Sequence, residues 1–293
     1  MRRLLIIGCG DVGLRVAARL RRRCRIYALT HTEARVTLLR EHGIVPLPGD
    51  LDRPATLGCL AGIAHEVLHC APPPDRGIRD PRTAQLIASL TRGKSLPQHL
   101  VYISTSGVYG DCAGEQITET RPTCPLTARA RRRADAEGRL RDWGRRTGVN
   151  VSILRAPGIY SAQRLPLARL RSGTPALRAE EDSYTNHIHA DDLARMAVAA
   201  LRFGIGGRAY NATDDSRLKM GEYFDLVADC YGLPRPERIS RAEAQARLPA
   251  GLLSFMNESR RLSNRRIKQE LRLRLLFPTV HDGIAAARGA RTA

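Results

Sequence analysis

The sequence predicts an α/β protein with a Rossmann-type, doubly wound parallel sheet and a smaller, mostly helical C-terminal lobe. Three observations support this prediction: short apolar runs alternate with helical patterns, a glycine motif follows the first run, and the pattern changes after Leu201. Strands that are apolar throughout and separated by helices are typical of a parallel sheet covered on both faces. With 293 residues and 43% apolar content, the chain can bury a sizeable core.

The alternation defines the elements of the sheet in order. The predicted strands are the apolar runs at 4–7, 25–30, 43–47, 65–70, 100–103, 149–154 and 208–211. The predicted helices are at 11–22, 33–41, 81–92, 127–146 and 190–203.

Two structural units are expected along the chain. We interpret residues 1–213 as a cofactor-binding Rossmann domain, with a possible excursion into the substrate lobe at 161–187. Residues 214–293, which contain short helices separated by Pro and Gly, form the predicted lobe. It is expected to close over the carboxyl ends of the strands, where open α/β sheets bind their ligands.

The first apolar run leads into Gly8, Gly10 and Gly13, a G-x-G-x-x-G motif at the predicted start of a helix. Gly8 can turn tightly out of the strand, Gly10 lets the backbone approach a pyrophosphate, and Gly13 allows close helix–strand packing. The free N–H groups at the start of the helix, around Asp11 and Val12, attract phosphates. The context therefore predicts a dinucleotide site at the first βα turn.

The end of the second strand bears on the choice of cofactor. An acidic residue about 20 positions after the glycines would bind the ribose 2′-hydroxyl and select NAD. Thr30 and His31 occupy this place, and Arg35 follows. Without a carboxylate to repel a 2′-phosphate, and with His31 and Arg35 able to bind one, NADP is preferred over NAD. The alternative is that Arg35 is only a solvated residue of the second helix.

The composition is strongly basic, with a formal net charge of +19 and 48 Lys and Arg residues, of which only three are Lys. Such a field would attract nucleic acid, anionic lipid or a polyphosphate ligand. The Arg residues are spread along the chain, and the clusters at 21–23 and 129–133 have no interleaved aromatics on which bases would stack. Nucleic acid is therefore a disfavoured partner, and we expect a small polar molecule instead.

The cysteines predict neither disulfides nor a metal centre. They are odd in number, without C-x-x-C or Cys/His ligand spacing, at positions 9, 24, 59, 70, 112, 124 and 230. No apolar run reaches the length that spans a bilayer, and the run at 4–7 is too short for a signal peptide. A reducing cytoplasm is the expected location, and no membrane partner is expected.

Further segments carry a family resemblance. They are Gly49-Asp50-Leu51 after the third strand, Ile103 to Asp111 after the fifth, Leu154 to Tyr160 after the sixth, and Asn186 to Leu193. With the glycine motif, they make the chain similar over essentially its whole length to the extended short-chain dehydrogenase/reductases, the NAD-dependent epimerase/dehydratase group.

This resemblance implies roles for particular residues. The glycine turn, Asp50 and Leu51 would hold the adenosine and pyrophosphate of the cofactor. Ala71, after the fourth strand, would lie along the cofactor, and Pro157 would lie near the nicotinamide.

The resemblance also implies hydride transfer, in which a Tyr, with its pKa lowered by a Lys four residues on, is the general acid/base and a Ser or Thr hydroxyl polarises the substrate oxygen. Thr105 matches the Ser/Thr position. When Glu137 is aligned with the Glu usual in this helix, Arg129 occupies the Tyr position and Arg133 the Lys position. Arg stays protonated, so Arg129 cannot shuttle protons, whereas Arg133 can contact ribose hydroxyls or fix charge near the nicotinamide.

Other side chains have both a chemical and a structural interpretation. His187 and His189 would titrate near neutrality, but their place before Asp191 and Asp192 favours the capping of a helix. For Tyr109 and Tyr160, packing is favoured over catalysis. Asn186 and Arg155 can contact a polar substrate or satisfy buried backbone groups.

Three functions follow from these observations. The first is an NAD(P)-dependent oxidoreductase or epimerase/dehydratase that acts on a polar, nucleotide-sugar-like substrate with Thr105 as its polar catalyst. The second is a dinucleotide-binding sensor or regulator without turnover, which the missing Tyr favours. The third, disfavoured, is an Arg-rich nucleic-acid-binding protein on a Rossmann scaffold.

Overall fold

The computed structural model of the protein describes residues 1–292. In this range the strands are β1 (Arg2–Ile7), β2 (Cys24–Thr30), β3 (Val45–Pro48), β4 (Glu66–His69), β5 (His99–Thr105), β6 (Gln116–Ile117), β7 (Asn150–Ala156), β8 (Gly158–Tyr160), β9 (Ala176–Leu177), β10 (His187–His189), β11 (Ala209–Asn211), β12 (Arg238–Ile239) and β13 (Arg261–Leu262).

The helices are α1 (Asp11–Leu20), α2 (Glu33–Glu41), α3 (Pro81–Thr91), α4 (Ala128–Thr147), α5 (Leu167–Arg171), α6 (Ala190–Phe203), α7 (Met220–Tyr231), α8 (Arg241–Arg247), α9 (Ala250–Met256), α10 (Arg265–Glu270) and α11 (Val280–Thr292). Two 3₁₀ turns cover Pro54–Leu60 and Ser106–Tyr109. Within residues 1–292, each helix is too short or too polar to cross a membrane.

Seven strands form one sheet in the order β11-β7-β5-β4-β1-β2-β3, and every neighbouring pair is parallel. The predicted Rossmann-type fold is thus confirmed. The order reverses between β1 and β4, which pair through Leu4 and Glu66. At such a switch point the loops after the strands diverge and leave a crevice, so the topology places the ligand site at the carboxyl ends of β1 and β4.

Helices cover both faces of the sheet because alternate residues of β1 point to opposite sides. Leu4 and Ile6 belong to a core with α1 and α6, whereas Leu5 and Ile7 belong to a core with α3 and α4. All four side chains are fully buried. Each contributes about 1.5–3 kcal/mol of hydrophobic stabilisation. The two cores therefore fix the strand that leads into the glycine motif.

The C-terminal segments contribute to two separate regions of the molecule. Leu170 of α5, Phe224 of α7 and Ile284 of α11 share a third core, next to the pairing of β9 with β12. Ile267 and Leu271, by contrast, pack into the core beneath the main sheet. Since β13 also pairs with β6, the chain around residue 260 is held against the main domain beside the ends of β5 and β7.

Candidate functional site

Three neighbouring cavities lie along the carboxyl ends of the strands. The edge cavity, of about 480 Å³, lies beyond β1, β2 and β3, and the central cavity, of about 530 Å³, lies beyond β1, β5 and β7. The distal cavity, of about 190 Å³, extends from the ends of β5 and β7 to residues 258 and 260. The edge and central cavities share Gly8, Gly10, Cys70 and Pro72. The central and distal cavities share Thr105, Arg129 and Pro157, which we call the junction.

The structure places every predicted site residue in this series of cavities. The edge cavity contains Gly8, Gly10, Thr30, His31, Arg35, Asp50, Leu51 and Ala71. The central cavity contains Gly8, Gly10, Asp11, Val12, Gly13, Thr105, Arg133 and Pro157. Residues as far apart in sequence as Gly8 and Pro157 thus meet at one edge of the sheet.

The glycine turn has the geometry that the motif predicts. Gly8 has φ +81°, and a Cβ there would lie 2.4 Å from the Ala71 nitrogen. A Cβ at Gly13 would lie 3.2 Å from Ile6 Cγ2, so this glycine brings α1 close to β1. At Gly10 a Cβ would meet no protein atom within 4 Å among the described residues. Gly10 therefore borders open space, as a backbone approached by a ligand requires.

The start of α1 fits an anionic group. Gly10 is the N-cap, and no side chain within residues 1–292 caps the helix. The N–H groups of Asp11, Val12 and Gly13 have no partner inside the helix. All three residues line the central cavity. An uncapped helix start beside an open glycine fits the pyrophosphate of a dinucleotide.

The edge cavity carries positive charge where many Rossmann proteins have a carboxylate. Thr30 is the last residue of β2, and its carbonyl accepts a hydrogen bond from Gly49 N–H at 2.9 Å. His31 follows and is exposed. The half-buried Arg35 donates through Nη2 to the carbonyl of Cys9 and so lies against the glycine turn. A cationic side chain therefore faces the same cavity as Thr30.

An ion pair borders the other side of the edge cavity. Arg82 donates to both carboxylate oxygens of Asp52, at 2.8 and 2.6 Å, and to the carbonyl of Pro72 at 3.1 Å. The hydrogen bond from Arg82 lowers the pKa of Asp52. Asp50 accepts from the N–H of Asp52 at 2.9 Å, which orders the turn that presents the Asp50-Leu51 pair.

Thr105 ends β5 at the junction. Its Oγ1 accepts a hydrogen bond from the N–H of Gly107 at 3.2 Å and thereby caps the 3₁₀ turn at Ser106–Tyr109. Since this bond uses a lone pair, the hydroxyl hydrogen remains available for an oxygen in the cavity. The neighbouring Ser104 is buried and donates to Glu137 at 2.7 Å.

Two arginines of α4, one helical turn apart, face the central cavity. Arg133 donates through Nη1 to the carbonyl of Ile103 at 2.9 Å and to the Tyr102 hydroxyl at 3.0 Å, so its side chain is fixed against the end of β5. Arg129 lies at the junction. Burial lowers its pKa; Glu258 acts in the opposite direction, and three further arginines add to the lowering.

Glu137 anchors α4 to the sheet. It forms a buried ion pair with Arg155, in which Arg155 Nη2 donates at 2.7 Å. Burial alone would lower the pKa of Arg155, but the hydrogen bonds and charge of Glu137 raise it above its usual value. The guanidinium also lies 4.6 Å from the ring centroid of Tyr109, whose hydroxyl donates to Asn211 at 2.7 Å. Arg155 and Tyr109 are thus engaged in packing rather than exposed to a substrate.

The two histidines are also structural. His189 caps α6, since its Nδ1 accepts from the Asp191 N–H at 3.2 Å. Asp191 pairs with Arg15 of α1 at 2.8 Å. Burial lowers the pKa of His187 to about 3, and its ring lies 4.0 Å from that of Tyr223. Neither histidine is among the described residues that line the three cavities.

Asn186 and Tyr160 hold segments of the C-terminal part in place. The amide of Asn186 donates to the carbonyl of Arg260 at 2.8 Å and accepts from the Leu262 N–H at 2.8 Å. The Tyr160 hydroxyl donates to the carbonyl of Thr279 at 3.3 Å. Asn186 also lines the distal cavity, where it positions the Arg260 segment.

Several charged residues at the site escaped the sequence analysis. They are Asp75, Arg132 and Arg164 in the central cavity, and Glu258 and Arg260 in the distal cavity. Arg132 could have been found, because it lies three positions after Arg129 on one helix face. Arg260 gave no signal, because contacts between segments far apart in sequence, such as the pairing of β13 with β6, bring it near α4. The described residues contain no cluster of three or more His, Cys, Asp or Glu that could hold a metal.

Comparisons with known proteins agree with this architecture. The model of the NAD dependent epimerase/dehydratase family matches residues 5–213. A search of curated proteins finds no match. Among solved structures, a functionally unknown conserved protein from Silicibacter pomeroyi is 26% identical, with 99% of each chain covered and a TM-score of 0.83.

Two structures of enzymes share the fold at lower identity. The UDP-glucuronic acid 4-epimerase from Bacillus cereus, in complex with NAD, is 16% identical, with 98% of this chain and 97% of that chain covered and a TM-score of 0.78. The UDP-glucose 4-epimerase from Thermotoga maritima, with UDP-glucose, is 15% identical, with 99% of this chain and 98% of that chain covered and a TM-score of 0.80.

Proposed function

Since the chain belongs to the NAD-dependent epimerase/dehydratase family, we propose that it binds NADP, or NAD less tightly, and transfers hydride to or from a polar, nucleotide-sugar-like substrate. The observation that carries this proposal is the series of three cavities. The open glycine turn lies between the edge and central cavities. The Thr105 hydroxyl lies at the junction, between the central and distal cavities.

The cofactor would occupy the edge and central cavities. Gly10 and the start of α1 would receive the pyrophosphate, with Asp50 and Leu51 at the adenosine end and Pro157 at the nicotinamide end. Arg35 and His31 would pair with a 2′-phosphate, because no carboxylate at Thr30 repels one. Ala71 and Arg133 would lie along the ribose of the nicotinamide half.

Thr105 would bind the reacting oxygen of the substrate. Its hydroxyl already accepts from Gly107, so its own hydrogen is the one directed to a ligand. A bound nicotinamide cofactor would supply the hydride acceptor or donor. Arg129 would not carry the proton of this oxygen, because a guanidinium does not deprotonate in a protein, so that proton would pass to or from solvent water in the cavity.

The arrangement of the chain suits this assignment. Residues 1–213 would hold the cofactor, and residues 161–187 and 214–293 would supply the substrate side, to which Glu258 and Arg260 belong. The two epimerase structures named above contain NAD or UDP-glucose, which supports a nucleotide-sugar-like substrate. We also propose a cytoplasmic location, because the cysteines are scattered and free.

A second candidate function is a dinucleotide-binding sensor or regulator without turnover. Arg129 favours it, because the position that the family uses for its proton-transferring Tyr holds a residue that cannot transfer protons. The two functions share the cofactor site and differ only in turnover.

Calorimetric titration with NADPH and NADH tests the shared site. We expect the wild type to bind NADPH more tightly than NADH, and Gly10→Val to bind neither, because the added side chain fills the space for the pyrophosphate. A matched control is Gly58→Val, since a Cβ at Gly58 also meets no described atom within 4 Å but lies outside the cavities. Unchanged affinity in Gly10→Val would refute the assignment. A substrate screen followed by NADPH absorbance then separates enzyme from sensor.

A further inference from the structure

The junction is surrounded by an excess of arginines. Arg129 and Arg260 line the distal cavity together with one carboxylate, Glu258. The central cavity adds Arg132, Arg133 and Arg164, against Asp11 and Asp75. Asp11 is itself bonded to Arg15 at 2.8 Å, outside the cavity lining. The two cavities therefore carry more positive than negative charge in their described walls.

Two of these arginines are too buried for water to screen them fully, whereas Arg129 and Arg164 are exposed. Arg132 and Arg260 are 7% and 9% exposed. Each donates one Nη1 hydrogen bond of 2.7 Å to a carbonyl, that of Gly77 and that of Gly110 respectively. The Nε of each is buried and has no hydrogen-bond partner within residues 1–292. Polar groups left in this state cost free energy unless a ligand compensates them.

Glu258 compensates only part of this charge. It accepts from Arg260 Nη1 at 2.9 Å, while its second oxygen, Oε1, is buried without a hydrogen-bond partner among the described residues. Burial and the charges of Arg132, Arg133 and Arg260 all lower the pKa of Arg129, and only Glu258 opposes them. Like charges gathered in a partly buried cavity destabilise a fold, and their presence at a cleft points to a bound counter-charge.

From this geometry we infer that the substrate carries an anionic group, a carboxylate or a phosphate ester, beside its reacting carbon, and that Arg129 and Arg260 bind this group at the junction. That the anion belongs to a substrate rests on the proposed function, whereas the anion site itself does not. A neutral sugar carbon framework at this place would add no counter-charge for the excess of arginines and would leave the buried Nε of Arg260 without an acceptor. Planar guanidinium groups match carboxylate and phosphate oxygens because they donate two parallel hydrogen bonds.

The test measures anion binding by the whole, cofactor-free protein. Sodium phosphate and sodium glycolate are the probes, titrated at constant ionic strength set with sodium chloride, and thermal unfolding reports the Kd of each. We expect one or both to raise the melting temperature of the wild type. In Arg129→Met, and in Arg260→Met as a second variant, the Kd should rise about 10-fold or more, as expected for a lost charge-assisted hydrogen bond.

Two controls locate the site. Arg131→Met removes the same charge from α4 at a residue that is exposed like Arg129 but lies outside the cavity linings, so its Kd should equal that of the wild type. Gly10→Val blocks the start of α1, the other place where phosphate would bind, and should retain the part of the anion binding that depends on Arg129. Loss of binding in Gly10→Val with retention in Arg129→Met would overturn the inference, as would equal binding in the wild type and both arginine variants.

The two proposals fail in distinguishable ways. If NADPH does not bind but anion binding depends on Arg129, the proposed function fails and the anion site stands. If NADPH binds while neither phosphate nor glycolate depends on Arg129 or Arg260, the inference is wrong and the cofactor site stands. Circular dichroism of each variant verifies that it is folded, and Arg260→Met decides the matter should Arg129→Met not fold.

Discussion

The glycine turn and the junction lie at opposite ends of the same central cavity, yet they are constructed differently. The turn consists of backbone: Gly8 bends it, Gly10 leaves it open, and the start of α1 supplies N–H groups. The junction consists of side chains brought from separate strands, helices and loops, with Thr105 from β5, Arg129 from α4 and Pro157 after β7. A backbone site tolerates few substitutions, whereas a side-chain site can change its chemistry and keep the fold.

This difference explains how the chain can belong to its family with an arginine, Arg129, at the position proposed for the family's Tyr. The helix remains anchored by Glu137, whose ion pair with Arg155 is buried and independent of residue 129. Thr105 likewise keeps its position through its bond to Gly107. A different side chain at residue 129 therefore alters the charge of the cavity while Glu137 and Thr105 keep their positions.

The largest effect is expected from a single methyl group in the turn. Gly8→Ala must place its Cβ 2.4 Å from the Ala71 nitrogen and adopt φ near +81°. Strain at such a position and overpacking together should lower the free energy of unfolding by about 3 kcal/mol or more. Urea denaturation measures this loss.

Gly10→Ala is the matched control for that experiment. A Cβ at Gly10 meets no described atom within 4 Å, and its φ of −85° suits any residue. Its unfolding free energy should stay within about 1 kcal/mol of the wild type. Equal stability of Gly8→Ala and Gly10→Ala would contradict the view that the backbone constrains this end.

At the junction, Thr105→Val should affect chemistry more than folding, although it also removes the cap of the 3₁₀ turn and should lower the free energy of unfolding by about 1 kcal/mol. The substitution keeps the side-chain volume but removes the hydroxyl that faces the cavity. Turnover should fall on the order of 10²-fold, as for the loss of one preorganised donor. Steady-state NADPH absorbance with an active carbonyl compound or nucleotide sugar measures the rate, and calorimetry should show unchanged NADPH affinity. Full activity in Thr105→Val would remove this residue from the reaction.

The edge cavity provides a smaller effect, on selectivity. Thr30→Asp places a carboxylate in the cavity shared with Arg35 and His31. A carboxylate repels a 2′-phosphate and accepts a hydrogen bond from a 2′-hydroxyl, so the preference should change from NADPH to NADH by about 10-fold. Titration of both cofactors against both proteins measures the ratio. Equal affinities in the wild type would argue against an NADP preference.

The same contrast determines what the sequence alone could predict. All predicted strands and helices of the main sheet are present with bounds within two residues, because apolar runs and helical periods are local signals. The glycine turn was predictable for the same reason, since Gly8, Gly10 and Gly13 are contiguous with β1.

The charge of the junction was not predictable in this way. Arg260 reaches the distal cavity through tertiary contacts, namely the pairing of β13 with β6 and the hydrogen bonds of Asn186 with the backbone of residues 260 and 262. His187 shows the opposite case: its type suggested acid–base chemistry, but burial against Tyr223 lowers its pKa to about 3 and keeps it neutral. Whether a titratable residue is reactive depends on tertiary burial, which the local pattern does not contain.

The smallest expected effect concerns stability at the junction, where Arg129→Met should raise the melting temperature of the ligand-free protein. Burial and the charges of Arg132, Arg133 and Arg260 disfavour the charged form of Arg129 in the fold, and Glu258 offsets only part of this. Because Arg129 is itself exposed, water screens much of this repulsion, so removing the charge should raise the melting temperature only slightly.

Salt dependence distinguishes this explanation from a simple gain in packing. Repulsion between charges weakens as ionic strength rises, so added sodium chloride should narrow the difference in melting temperature between Arg129→Met and the wild type. Arg131→Met, which removes an exposed charge from the same helix, should melt close to the wild type at every salt concentration. A lower melting temperature in Arg129→Met would mean that Arg129 stabilises the fold, and the junction would then resemble the glycine turn as a structural element. A higher one that converges with salt would show that the chain keeps a destabilising charge at the junction, which the inferred anion site would explain.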